Sequence, residues 1–466
     1  MEISTSILVL LIVCVLFACL FEFINGFHDT ANAVATVIYT NTLKPQYAVV
    51  WSGIWNFLGV FAGGIAVAMG IVDLLPVEML IEQSTASSVA MVLALISGAI
   101  IWNFGTWYFG IPASSSHTMI GSILGVGLAF SLTPGQEFGS GVNWSKATDI
   151  GSSLLVSPLF GFGMAMILMF SLSQFVNNKI IFQSPKGKEK PPMWIRAILM
   201  LTCTLVSFFH GSNDGQKGVG LVMLILIGIL PAYYALDANV KPGDYVGNLN
   251  STKEILLKVN PDDLAAGDRK TYGKLMDNIS KLEVQMVGAN TVADIPHGER
   301  FAFRSELLFI TRKLEKMIKN EVLPLPVEDL KELKNHSKKL RSMTDYAPTW
   351  VLVIIALSLG IGTMVGWKRI VVTIGEKIGK AHMSYAQGAS AEMIAASTIG
   401  LSTYFGLPVS TTHVLSSGVA GAMVAQDGIK NLQPKTVRTI LMAWILTLPV
   451  TMILSGSLFL LFRMAI

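Results

Sequence analysis

The residues able to do chemistry sit where a membrane chain can least afford them. Asn25-Gly-Phe-His28-Asp29-Thr-Ala-Asn32 follows directly on a long apolar run. A second set, His210-Gly-Ser-Asn213-Asp214-Gly-Gln-Lys217, interrupts another. One charge at the centre of a membrane helix costs about 2.5–3.5 kcal/mol on insertion scales. Two copies of such a device imply a use for the charge. Asp29 with Asn25 and Asn32, and Asp214 with Asn213, offer the oxygen ligands a hard cation prefers. The same carboxylates could instead take a proton, and His28 and His210 could relay one. Lys217 stands where the first set has Asn32, and either neutralises Asp214 or attracts an anion. Glu392, within a later apolar segment, reads as a further cation or proton site.

A second pair of motifs has the opposite appetite. Pro112-Ala-Ser114-Ser115-Ser116-His117 matches Pro408-Val-Ser410-Thr411-Thr412-His413 in register. Proline suits a turn or a first helical position, and serine can cap the helix that follows. A helix N-terminus offers free N–H donors and a partial positive charge. Hydroxyls add donors without adding charge. Two such N-termini facing each other form a neutral cage for an oxyanion, and phosphate matches six hydroxyls plus backbone N–H groups. His117 and His413 read as relays or substrate contacts. A carboxylate near an anion cage repels the substrate unless a cation lies between, so cation and anion become interdependent. The energetics favour that arrangement, since moving a dianion inward against about 100 mV costs about 4.6 kcal/mol.

The elements that must position these motifs are apolar. The 466-residue chain is 52% hydrophobic and 14% charged, against about 25% charged in soluble domains. Ten apolar segments lie near 5–24 (running on to 40), 47–72, 86–109, 114–131, 148–175, 194–231, 348–366, 388–405, 411–425 and 437–462. Many are long enough to cross a bilayer. The expected fold is an all-α integral membrane protein, an inverted-topology repeat of about 5+5 transmembrane segments (10–12 in total) with discontinuous helices. The discontinuities are expected at 25–32 and 210–217. Five spans per half is odd, so the second half enters the membrane upside down, which in secondary transporters places substrate near the midplane.

The divisions are 1–176 (first repeat), 177–193 (basic cytoplasmic loop), 194–236 (start of the second repeat), 237–346 (hydrophilic insert) and 347–466 (remainder). Two connections are basic, one with Lys186, Lys188 and Lys190, the other with Arg369 and Lys377. The connection 73–84 carries Asp73, Glu78 and Glu82 and no base. Basic loops inside then place both termini and the insert outside. Within the insert, helical periodicity runs from 300 to 342 through Leu307, Leu308, Ile310, Leu314, Met317 and Ile318. Met1-Glu-Ile-Ser lacks the basic start of a cleaved signal, so 5–24 reads as a retained span. Cys14, Cys19 and Cys203 fit neither a disulfide framework nor a metal site.

The four motif copies together resemble those of the Pit family of inorganic phosphate transporters, in its bacterial proton-coupled branch. The similarity covers nearly all of the apolar part and extends to the insert. It implies symport of phosphate with H⁺ or Na⁺, in a bacterial inner membrane, with a neutral complex of divalent metal and hydrogen phosphate as one form of the substrate. It also implies that Asp29 and Asp214 serve the cation, and that Ser114, Ser115, Ser116, Ser410, Thr411 and Thr412 hold phosphate. His28 and Lys217 replace residues that are Asn in the family pattern, and Asn56 stands where many members carry an acid. These departures fit protons better than sodium. The expected partners are phosphate and the lipid bilayer, with no nucleic acid and no resident cofactor; assembly as a homo-oligomer is compatible with the reading. The competing classes are a passive anion channel, a carrier of another oxyanion such as sulfate or arsenate, and a phosphate-ester enzyme, for which no nucleophile–base pair stands outside the membrane.

Overall fold

The computed structural model describes residues 4–76, 85–185, 187 and 189–465. Glu78, Glu82, Lys186 and Lys188, used above for orientation, lie outside the described residues. The described chain is helical throughout, with one isolated bridge between Gly379 and Leu432 and no strand. It divides into two compact units.

The first unit holds the described residues up to Ile225 and those from Pro348 onward. In order it contains α1 (Thr5–Asp29), α2 (Ala31–Tyr39), α3 (Pro45–Ala62), α4 (Ala66–Val72), α5 (Thr85–Tyr108), α6 (Ser115–Ser131), α7 (Trp144–Phe175) and all but the last turn of α8 (Met193–Ile229). The second unit, Leu226–Ala347, contains α9 (Pro231–Tyr234), α10 (Val246–Leu256), α11 (Ala266–Met286), α12 (Arg300–Lys319) and α13 (Val327–Arg341). The first unit resumes with α14 (Thr349–Met364), α15 (Lys368–Glu376), α16 (Tyr385–Tyr404), α17 (Thr411–Asp427) and α18 (Pro434–Ala465).

Of the two expected discontinuities the first is slight, since α1 and α2 meet at Thr30 without a sharp bend, and the second is absent. Thr30, between α1 and α2, keeps helical dihedrals (φ −49°, ψ −38°), and α8 runs unbroken through 210–217. The reason is that a helix break in hydrocarbon orphans backbone groups, whereas polar side chains can find partners while the ladder stays intact. Thr30 shows this: its hydroxyl bonds the Gly26 carbonyl at 2.6 Å and the Thr363 carbonyl at 3.0 Å. The bends come elsewhere. α3 and α4 meet at 77°, α14 and α15 at 62°, and Gly64 and Gly366 in these joints hold φ +72° and +70°, a region open mainly to glycine. The basic stretch 368–380 is therefore partly the helix α15, not only a connection.

Five described helices are long and apolar enough to cross a membrane, or seven if each bent pair is one span. The ten expected segments included three more. α6 and α17 have 17 residues each, or about 25 Å, short of the roughly 30 Å core. α16 carries Gln387, Ser390 and Glu392 on a buried face, which lowers its apolar character. All three are heavily buried among other helices, so they need not be apolar.

α6 packs on α18 and α17 on α7, each joining one half of the chain to the other. α1 packs on α14, and α14 on α3. Lipid supplies no hydrophobic drive between helices, so close approach of small residues must do the work. A Cβ on Gly125 (α6) would overlap the Met452 carbonyl of α18, and one on Gly421 (α17) would overlap the Phe162 carbonyl of α7.

The insert folds around its own core, which includes Leu249, Leu275, Ile279, Phe303, Leu307, Leu314, Leu333 and Leu340. The periodicity read over 300–342 is two helices, α12 and α13, separated where Glu321 takes φ +55° and Pro324 and Pro326 follow. Arg304 is buried and donates to the carbonyls of Ala235 at 2.8 Å and Thr344 at 2.9 Å.

Gly421→Val should therefore lower the thermal midpoint of the purified protein by several degrees or abolish the monodisperse species, since overpacking costs about 1–3 kcal/mol or more. Gly151→Ala, where a Cβ meets nothing within 4 Å, should be neutral or stabilising by about 1 kcal/mol. Thermal unfolding monitored by size exclusion distinguishes the two.

Candidate functional site

The site begins with two helix starts. Ser114 caps α6 and accepts from the His117 N–H at 3.2 Å; Ser410 caps α17 and accepts from the His413 N–H at 3.1 Å. Each follows a glycine with φ +67°, Gly110 and Gly406, which lets the chain turn sharply out of the preceding helix. The caps occupy the first hydroxyl of each motif and leave the next two free to point elsewhere.

Three of these four reach carboxylates. Ser115 Oγ donates to Asp29 Oδ2 at 2.7 Å, and Thr412 Oγ1 donates to Asp29 Oδ1 at 2.6 Å. One carboxylate thus bridges the N-termini of α6 and α17, one oxygen to each. Asn32 reinforces this from α2, donating through Nδ2 to Thr412 Oγ1 at 3.1 Å and reaching Thr411 Oγ1 at 3.5 Å. Thr411 Oγ1 lies 3.5 Å from Asp214 Oδ2. Ser116 donates to the Val409 carbonyl at 2.9 Å.

Between the two carboxylates stands His210. Its Nε2 is 3.7 Å from Asp29 Oδ2 and 3.6 Å from Asp214 Oδ2. Asn56 Nδ2 donates to Thr363 Oγ1 at 2.9 Å, which turns Asn56 Oδ1 toward His210 Nδ1 at 2.9 Å. The amide oxygen takes the Nδ1 proton and leaves Nε2 facing the carboxylates. Ligand atoms of Asp29, His210 and Asp214 lie within 4.8 Å of one another, all buried. Such a trio can hold either a proton on the imidazole or a small cation. His28 spans Asp29 Oδ1 at 3.3 Å and Thr106 Oγ1 at 3.2 Å. Lys217 Nζ lies 2.6 Å from Asp214 Oδ1.

Other expected residues stand apart from this cluster. Asn213 ties α8 to the second turn, donating to Thr403 Oγ1 at 3.0 Å and the Leu407 carbonyl at 3.2 Å and accepting from the Val409 N–H at 3.3 Å. These bonds position the turn. His117 and His413 lie against each other at a tilt, ring centroids 4.5 Å apart, and His413 stacks on Trp444 at 4.0 Å. His117 Nδ1 is also 2.9 Å from Ser114 Oγ. This column braces the two turns against α18. Glu392 is fully buried and accepts from Thr202 Oγ1 at 2.5 Å; among the described residues no hydrogen bond or ion pair joins it to Asp29, His210 or Asp214. Asn25 donates to Glu22 Oε1 at 2.9 Å.

Glu22 is the residue the sequence reading missed. It is fully buried on α1, and a Cβ at Gly218 would meet its Oε2 at 2.5 Å. The signal was available: positions 22, 25 and 29 share one helical face.

A model of the phosphate transporter family matches residues 25–455. The low-affinity inorganic phosphate transporters PitB and PitA of Escherichia coli K12 are 43% and 42% identical, each alignment covering 98% of this chain and 97% of the relative. The corresponding transporter of Buchnera aphidicola (subspecies Acyrthosiphon pisum) is 42% identical, with the same coverage. A solved sodium-dependent phosphate transporter superposes with TM-score 0.56 at 18% identity, covering 98% of this chain and all of that one, so the fold is shared. These relatives are transporters, not enzymes. The chain belongs to the phosphate transporter family, as a multi-pass membrane protein.

Proposed function

We propose that the protein imports inorganic phosphate across a bacterial inner membrane by symport with protons. One observation carries the reading: the hydroxyls best placed to receive an oxyanion, Ser115 and Thr412, are already bonded to Asp29. Phosphate and Asp29 compete for the same two donors. When phosphate takes them, Asp29 loses two charge-assisted hydrogen bonds in a buried site, each worth about 1.5–3 kcal/mol. A proton on Asp29, or on His210 beside it, offsets that loss. Substrate binding therefore strengthens proton binding, and by linkage the proton strengthens substrate binding.

The element order supports alternating access. Each half runs through a signature helix, a bent pair, a further helix, a Ser-capped helix of 17 residues and a 32-residue helix with an internal proline, Pro158 or Pro449. On this reading the two halves are 5+5 spans of opposite orientation, the short capped helices meet near the midplane, and the halves rock about them. A second reading, that a divalent metal travels with hydrogen phosphate, draws on the Asp29–His210–Asp214 cluster, whose chemistry suits such an ion.

Phosphate uptake by proteoliposomes under separately imposed pH and Na⁺ gradients tests the proposal. Inward proton gradients should drive accumulation in sodium-free buffer; uptake driven by Na⁺ alone overturns proton coupling. Asp29→Asn should abolish accumulation above the electrochemical equilibrium, and full gradient-driven uptake by that variant would refute its coupling role. Ser115→Ala combined with Thr412→Ala should raise the KM for phosphate at least tenfold, read from initial uptake rates. An unchanged KM removes the shared-donor mechanism.

A further inference from the structure

Lys217 is 2% exposed in the middle of α8. Its Nζ has three neighbours within hydrogen-bond distance: Asp214 Oδ1 at 2.6 Å, Ser116 Oγ at 2.5 Å and the Val409 carbonyl at 2.7 Å. All three act as acceptors. The carboxylate and the carbonyl have no proton, and Ser116 gives its own to the Val409 carbonyl at 2.9 Å. A nitrogen facing three acceptors fills its geometry only with three protons, as the ammonium.

The oxygens around that nitrogen are an unusual set for a lysine. One comes from a carboxylate of α8, one from a hydroxyl at the start of α6, and one from the main chain of the turn before α17. A carboxylate, a hydroxyl and a main-chain carbonyl converging on a point form the kind of oxygen shell that small hard cations select. The lysine stem reaches into that shell from the same helix that supplies the carboxylate, three residues away. An ordinary ion pair needs only Asp214. The contacts to Ser116 and Val409 place the charge against the start of one capped helix and the turn before the other.

We propose that Lys217 is a tethered cation: its ammonium fills an oxygen site that would otherwise take a mobile monovalent ion, and so removes one ion from the transport stoichiometry. The inference rests on the phosphate-symport reading above and deepens it. A tethered charge neutralises Asp214 in every turnover but never leaves with the substrate. It helps binding and contributes nothing to the driving force. A mobile monovalent ion at the same place would multiply the attainable accumulation by about forty-fold at a typical membrane potential. The protein accumulates phosphate less steeply in exchange for independence from that ion.

The test compares wild type with K217N and K217A in proteoliposomes, measuring ³²P-phosphate and ²²Na⁺ uptake together. Each variant should lose at least tenfold of its uptake in Na⁺-free buffer, regain it in Na⁺, and carry about one more Na⁺ per phosphate than wild type does. The difference between variant and wild type isolates the site, whatever other ions the wild type carries. Sodium-free uptake by a variant at the wild-type rate overturns the proposal, as does a folded variant that stays inactive in Na⁺. If the variants fold poorly, Na⁺ but not choline should restore their monodispersity and raise their thermal midpoint; variants equally misfolded in both overturn it. A purely structural ion pair would not alter the Na⁺-to-phosphate ratio. Failure of wild type itself to take up phosphate would instead remove the symport reading.

Discussion

A carboxylate inside a membrane protein must be satisfied on both oxygens, and that requirement at Asp29 organises the rest. Ser115 satisfies one oxygen and Thr412 the other. The two donors come from helices that begin almost three hundred residues apart in the chain, so Asp29 holds its bonds only if α6 and α17 start at the same point in space. The caps Ser114 and Ser410 fix where each helix begins. The column of His117, His413 and Trp444 holds the starts together, and Asn213 holds the second turn against α8. An uncompensated buried charge is far more costly than any one of these contacts, which explains why so many serve one group.

The close seams make the same demand on the scaffold. α6 reaches the site by lying on α18, and α17 by lying on α7. Glycines 125 and 421 let those pairs approach to backbone contact. Each half of the chain therefore carries the other half's capped helix. On the transport reading, any rocking of the halves must break or exchange the bonds from Ser115 and Thr412 to Asp29, and those from Lys217 to Ser116 and Val409. The elements that move are the elements that bind. This ties the conformational change to occupancy of the site, because a ligand can shift such an equilibrium only through differential contacts with the two states.

Much of this was legible in the residues. The pairing of motifs, the capping by Ser114 and Ser410 and the helical class all follow from local rules that act within a few residues. The positions of the breaks did not. Polar stretches at 25–32 and 210–217 look like interruptions in one dimension, but tertiary partners such as Thr363 and Asn56 let the helices run through, and the bends fall at Gly64 and Gly366 instead. Length and hydropathy alone do not mark α6 and α17 as crossings, because protein and not lipid surrounds most of their surface. Asn213 and Asn25 look like cation ligands by composition; that their amide nitrogens donate to a turn carbonyl and to Glu22 is a tertiary choice that composition cannot rank.

The charge inventory carries the last step. Asp214 has Lys217 as a fixed partner at 2.6 Å. Among the described residues Asp29 has no lysine or arginine within ion-pair distance; the basic groups near it are His28 at 3.3 Å and His210 at 3.7 Å. A fixed ammonium gives one carboxylate constant compensation. An imidazole is the side chain that most readily gains and loses a proton in the physiological range. On the symport reading the two carboxylates do different work: Asp214 has a permanent partner, and Asp29 has partners that can be exchanged. On the same reading, substrate that competes for Ser115 and Thr412 acts first on Asp29, the carboxylate those two hydroxyls hold. Proton selectivity on this account comes from which carboxylate lacks a permanent partner, not from a dedicated proton wire.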